Sequence, residues 1–289
     1  DVSCGESLAL GSPDGLSNEP TWHLGVQGVG DLNGDGFDDH ANSYGVIYGP
    51  ISEPETVVDW GGPGVGSAAG DVNGDGYDDL LFGDSGYANG ETGEGRLLIF
   101  YGSPDGLDRT PGWMFESDTP DRYLGSYVKA IGDVNDDGYD DIGSSCSSYL
   151  NGTPSWISAF LGSTTGPQPA ATEIILENRD ARIAGAGDVN GDGFDDLLVG
   201  DPFYRLVYPN WYGAGRAMLY LGSVDGLAAT PAWTIESDRN GAGLGSSVSG
   251  ADDVNGDGFD DILVGAPYYD YGIAGYVFGF LGDPRGLAT

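Results

Sequence analysis

The chain has 289 residues, 53 of them glycine, 17 tyrosine and 16 proline, and its 46 acidic residues outnumber 10 basic ones to give a formal net charge of −36. Ten scattered cations cannot build a basic patch, which excludes a nucleic-acid partner and disfavours an anionic membrane surface. No apolar run reaches the length of a membrane-spanning helix, and the glycine-rich composition, with no 3.6-residue apolar stripe, points to short strands and tight turns.

In chain order, Leu8-Ala9-Leu10 followed by Gly11-Ser12-Pro13-Asp14-Gly15-Leu16 reads as the end of a strand and a hairpin turn, and Pro20-Thr21-Trp22-His23-Leu24 as a further short strand. A nine-residue segment then begins at Asp31 and returns at Asp71, Asp133, Asp188 and Asp253, at intervals of 40, 62, 55 and 65 residues. Each interval is long enough for one four-stranded unit, so the chain is expected to be a repeat protein. The unit is clearest at the fifth copy. A small-residue strand, Gly245–Gly250, enters the nine-residue segment, and an apolar strand, Asp261–Pro267, leaves it. A loop follows, then Gly275–Gly282, while the fourth strand type stands one repeat earlier as Ala232-Trp233-Thr234-Ile235-Glu236. These positions are termed A, B, C and D. The turn after C recurs at Gly102–Leu107, Gly222–Leu227 and Gly282–Leu287, with a glycine placed for positive φ. Small side chains in A and aromatics in C and D suit sheets that converge on an axis and widen outward, so the expected class is all-β, a β-propeller of four-stranded antiparallel blades.

The nine-residue segments have the oxygen spacing of a calcium loop. In the second, Asp71, Asn73 and Asp75 supply side-chain oxygens at positions 1, 3 and 5, Tyr77 its carbonyl at position 7 and Asp79 a carboxylate at position 9, while Gly76 permits the sharp turn. The matching sets are Asp31, Asn33, Asp35, Phe37 and Asp39; Asp133, Asn135, Asp137, Tyr139 and Asp141; Asp188, Asn190, Asp192, Phe194 and Asp196; and Asp253, Asn255, Asp257, Phe259 and Asp261. Hard oxygens without nitrogen or sulfur favour Ca²⁺, about five ions in all. An EF-hand would need Glu at position 12, where repeats two to five carry Phe82, Ser144, Val199 and Val264. The loops hold 21 of the 46 acidic residues, and a bound cation relieves their repulsion. Position 8 (Asp78 and its equivalents) is expected to face outward or toward backbone N–H groups.

Leu244-Gly245, the Asp253–Asp261 loop and Val264-Gly265-Ala266-Pro267 together resemble the FG-GAP repeat, which builds the propeller of integrin α subunits and also occurs in propeller lectins. The resemblance covers residues 7–289. It implies a single calcium-binding extracellular or cell-surface propeller, 1–289, acting in adhesion or recognition, with ions that brace the A–B hairpins and take no part in chemistry. Departures lie in the first repeat, where His40-Ala41-Asn42-Ser43 replaces an apolar B strand, and in the third, where Ile142–Cys146 replaces the usual motif. Integrin-type members have seven blades, whereas five loops are present here. Five blades, with residues 20–24 supplying the D strand missing from the last, is the expected closure; six or seven blades, or a piece of a larger propeller, is the alternative.

The B–C loops of repeats four and five carry Tyr204, Arg205, Tyr208, Trp211 and Tyr212, then Tyr268, Tyr269 and Tyr271, side chains suited to stacking on sugars or anchoring a protein. The competing expectation is that these aromatics cover neighbouring blades. Trp113, Trp233 and Trp22 are expected to be packing residues. The two histidines, His23 and His40, sit at structural positions and no G-x-S-x-G element is present, so no catalytic residue is assigned; a calcium-dependent polysaccharide lyase is the enzymatic alternative. Cys4 and Cys146 are either a disulfide or two free thiols. No signal peptide is visible, and millimolar extracellular Ca²⁺ fits a secreted or surface location. Oligomeric state is not determined by the sequence.

Overall fold

The computed structural model describes residues 11–12, 15–16, 27–42, 45–49, 66–146, 154–169, 172–176, 180–206, 212–269 and 274–287. It is all-β: among these residues there is no helix, hence none long and apolar enough to cross a membrane. A two-residue-stranded hairpin, β1 (Gly11–Ser12) with β2 (Gly15–Leu16), comes first. The first blade is β3 (Gln27–Gly30), β4 (Asp39–Asn42) and β5 (Gly45–Ile47). The second is β6 (Ser67–Gly70), β7 (Asp79–Asp84), β8 (Arg96–Phe100) and β9 (Trp113–Glu116). The third is β10 (Tyr127–Gly132), β11 (Asp141–Cys146), β12 (Ser155–Phe160) and β13 (Thr172–Leu176), and the fourth β14 (Arg182–Gly187), β15 (Asp196–Asp201), β16 (Arg216–Tyr220) and β17 (Trp233–Glu236). The fifth is β18 (Ser247–Gly250), β19 (Ile262–Ala266) and β20 (Tyr276–Phe280), followed by the hairpin β21 (Gly282–Asp283) and β22 (Gly286–Leu287). Strands pair in sequence order and antiparallel, which makes each blade a meander. The result is a five-bladed β-propeller.

The A strands β3, β6, β10, β14 and β18 adjoin one another in series and form the hub. Their small residues allow this approach: a Cβ on Gly185 would stand 3.2 Å from the Ile131 backbone. The degenerate first repeat still pairs, with β4 in register against both β3 and β5. The hairpin turns behave as their sequence requires, with Gly106, Gly226 and Gly286 at φ of 85°, 88° and 106°.

The apolar cores lie between consecutive blades. One, containing Leu32, Leu80, Phe82 and Phe100, joins blades one and two; another, with Leu81, Ile99, Ile142 and Phe160, joins two and three. Ile131, Ile157, Leu197 and Val199 join three and four, and Leu198, Leu219, Ile262 and Val264 join four and five. Four joints thus have four cores, and burial of their apolar surface is what holds the sheets together. Trp113 packs on Phe115 and Phe160, and Trp233 on Phe280, as structural residues. Cys146 is a free, buried thiol. Cys4, Trp22, His23 and the expected closing strand at 20–24 lie outside the described residues.

Candidate metal loops and the joints between blades

The nine-residue loops share their internal wiring, except that in the third the Asn135 side-chain oxygen has no hydrogen-bond partner. The position-1 carboxylate accepts backbone N–H bonds from positions 5 and 6: Asp71 takes those of Asp75 at 3.0 Å and Gly76 at 2.8 Å. The Asn73 side chain accepts from Asp75 N–H at 2.9 Å and donates to the Asp75 carboxylate, which in turn accepts the Tyr77 N–H at 3.1 Å. These Asx-type bonds wrap the chain around its own oxygens. The tight turn needs positive φ: Gly76 stands at 92°, and at position 4 of the third loop Asp136 adopts 54°, which aspartate tolerates.

Position 9 is different in kind. Asp39, Asp79, Asp141, Asp196 and Asp261 are buried beneath their loops. One oxygen of Asp79 accepts the Val72 N–H at 3.1 Å and the other the Gly102 N–H at 2.9 Å, so the carboxylate buckles the loop to the end of strand C. All five loops repeat this pair of bonds. Burial pushes Asp39 up to about 6, Asp79 to about 8, and Asp141 and Asp196 to about 7, against the lowering effect of those two N–H donors. A buried carboxylate of that kind is stabilised by a nearby cation.

The donor set fits a hard divalent ion. Positions 1, 3 and 5 bring three oxygen-bearing side chains to one turn, position 7 would add a carbonyl and position 9 is buried beneath. Among the described residues no three carboxylate, histidine or cysteine side chains converge as a metal cluster. An ion held at this turn would draw on the asparagine and the backbone carbonyl as well as the carboxylates, and would share position 9 with its two backbone donors.

Position 8 reaches across to the preceding blade. Asp78, Asp140, Asp195 and Asp260 accept the position-1 N–H groups of Asp31, Asp71, Asp133 and Asp188 at 2.7, 2.8, 2.9 and 2.9 Å. Their own N–H groups donate back to the position-1 carbonyls at 3.1–3.2 Å. Burial raises the pKa of all four. The N–H groups of Ser103, Ser163 and Ser223 also donate to the position-2 carbonyls of Leu32, Val72 and Val134 at 3.0 Å. The sequence pointed position 8 away from the ion but did not identify its partner. The available signal was the pairing of that aspartate with the glycine before each of the first four loops: a Cβ on Gly30, Gly70, Gly132 or Gly187 would lie 2.0–2.2 Å from the arriving carboxylate.

The aromatic B–C loops are largely occupied with one another. Tyr204 lies beneath Arg216, at 4.1 Å, and Arg205. Tyr212 stands between Phe203 and Tyr268, with centroids 5.4 and 4.9 Å away, and Tyr269 is flanked by Tyr276, Phe278 and Arg239. Tyr268 and Arg205 remain exposed, Arg205 in an ion pair with Glu236 at 3.0 Å. Arg216 and Asp201 (3.1 Å) and Arg96 and Asp84 (3.1 Å) form equivalent pairs in blades four and two, which the sequence reading did not single out. Tyr208, Trp211 and Tyr271 lie outside the described residues. His40 is half-buried, with its pKa lowered by desolvation.

Comparison with known proteins agrees with this architecture. Residues 63–100, 181–218 and 244–280 match the FG-GAP repeat family, covering the A, B and C strands of blades two, four and five. The chain is similar to mouse integrin alpha-IIb (31% identity over 158 residues, 50% of this chain and 15% of that protein). It is also similar to Drosophila integrin alpha-PS2 (35% identity, 57% of this chain and 12% of that protein) and Xenopus integrin alpha-5 (36%, 35% of this chain and 10% of that protein). The chain therefore spans a small part of these relatives' length. Repeat and wiring make the chain a five-bladed β-propeller that carries FG-GAP repeats in blades two, four and five and is similar to part of the integrin α subunits.

Proposed function

We propose that this chain is a calcium-braced extracellular propeller that serves adhesion or recognition and has no catalytic role. The reading rests most on the five loops, each of which brings Asp, Asn and Asp oxygens to one turn above a buried position-9 carboxylate. The similarity to integrin α subunits supports the adhesive role and the cell-surface or extracellular location. Calcium supplies charge neutralisation at each loop, while the protein's own residues hold the hairpin in shape and couple it to the next blade. The partner is a carbohydrate or a protein, met by the B–C loops of blades four and five through exposed Tyr268 and Arg205. A glycan array and a capture assay on extracellular-matrix proteins, each run with calcium and with chelator, test this reading. Calcium-dependent binding reduced by Tyr268→Ala and Arg205→Ala, but not by Trp113→Phe, is the expected result.

A purely structural scaffold is the second reading. The covered faces of Tyr204, Tyr212 and Tyr269 favour it. Absence of binding in both assays, with calcium-dependent stability retained, would select it.

A further inference from the structure

The same joint is made four times, between blades one and two, two and three, three and four, and four and five, and each half of it has one further copy without its counterpart among the described residues. On blade one, Asp38 occupies position 8 and Phe37 position 7, yet Phe37 is 51% exposed and the Asp38 side chain has no hydrogen-bond partner among the described residues. On blade five, Val254 is 67% exposed where Leu32, Val72, Val134 and Val189 are fully buried. Gly34, Gly74 and Gly191 each lie against an aromatic ring of the following blade at 2.5–2.6 Å from a built Cβ, while Gly256 faces open space. The Asp253 N–H, unlike those of Asp31, Asp71, Asp133 and Asp188, has no acceptor among the described residues.

One substitution distinguishes the fifth receiving face. The residue before the loop is Gly30, Gly70, Gly132 and Gly187 in the first four blades, at φ of 71–80°, and Asp252 in the fifth, at φ 51°. The backbone keeps its left-handed conformation, but a Cβ now stands where the other four blades admit a carboxylate oxygen at 2.0–2.2 Å. Real non-bonded atoms do not approach so closely, and the Asp252 charge adds repulsion to any arriving aspartate.

We propose that Asp252 is a stop residue. It bars blade five from receiving a position-8 aspartate, and so prevents blade one, of this chain or of a second copy, from docking there by the joint that holds the other blades. Such a device protects an array of identical interfaces from running on into head-to-tail association. The bar is steric and sits at Cβ.

Amide hydrogen exchange on the full chain in calcium-containing buffer tests this, with sedimentation velocity alongside. In the wild type the amides of Asp31, Asp71, Asp133 and Asp188 should be protected and that of Asp253 should exchange freely. Asp252→Gly should slow Asp253 exchange by about tenfold, as expected for one new charge-assisted hydrogen bond. Either compaction of the monomer or association should accompany it. A second change, Asp38→Ala, should abolish that protection. Asp252→Ala keeps the Cβ and should match the wild type. The gain is limited because Pro50, following Gly49, has no N–H to offer where Ser103, Ser163 and Ser223 each donate one. A wild-type Asp253 amide as protected as the other four would overturn the proposal. So would an Asp252→Gly variant that leaves it unprotected, or an Asp252→Ala variant that behaves like Asp252→Gly.

Discussion

The Asp140 side chain separates two effects that usually act together. Its carboxylate accepts the Asp71 N–H at 2.8 Å across the joint between blades two and three. Burial, and then the charges of Asp78, Asp71 and Asp133, work against its ionisation. Asp140→Ala removes the acceptor and leaves a half-buried N–H without one, a loss of about 2 kcal/mol for a hydrogen bond to a charged group. Asp140→Asn keeps an acceptor oxygen of the same reach and removes the repulsion, so it should stay within about 0.5 kcal/mol of the wild type. Urea unfolding followed by tryptophan fluorescence, in chelator and in calcium, measures both. In chelator the Ala variant should unfold earlier, and its melting temperature should fall by about 4 °C for a domain of this size. If Asn is as damaging as Ala, the carboxylate acts through its charge, and the joint described above is wrong.

Other outcomes follow from the same geometry. Leu197→Ala, in the core between blades three and four, should cost about 3 kcal/mol in urea unfolding. Gly200→Ala should prevent correct folding, since its Cβ would meet the Gly245 carbonyl at 2.2 Å, backbone against backbone; near-normal expression and melting would refute that close approach. The chelated protein should lose stability as pH rises from about 4 to about 8. Asp39, Asp79, Asp141 and Asp196 hold protons in the fold up to about 6, 8, 7 and 7 while the unfolded chain releases them near 3.8, so folding is favoured at the acid end. Saturating calcium should remove or reverse that slope, because acid then competes with the ion; a melting temperature in chelator that rises with pH would contradict the burial assigned to these groups.

Much of the fold was legible because the repeat states it five times. The loops fixed the phase of each blade, alanine and glycine marked the hub strands, and the Pro–Gly turns marked the C–D hairpins. The first repeat was harder to read: His40, Ala41 and Asn42 lack the apolar signature of a B strand, yet they pair because both neighbouring strands supply hydrogen-bond partners. The oxygen spacing was equally plain. Spacing alone did not assign position 9 to two backbone donors, or position 8 to the neighbouring blade, because those bonds link residues 7 to 72 positions apart. The aromatic loops were ambiguous for a physical reason: a tyrosine has the same composition whether its face meets a ligand or, as for Tyr212, two other rings.

The central claim is that the nine-residue loops hold calcium and thereby hold the blades together. Equilibrium titration of the chelated chain with Ca²⁺, with thermal unfolding read on the same samples, tests it most directly. The account predicts about five ions per chain and a rise in melting temperature as they bind, each site filled to 100 times its Kd adding about 2.7 kcal/mol. Uptake of no ions, or a melting curve that calcium leaves unmoved, would contradict it.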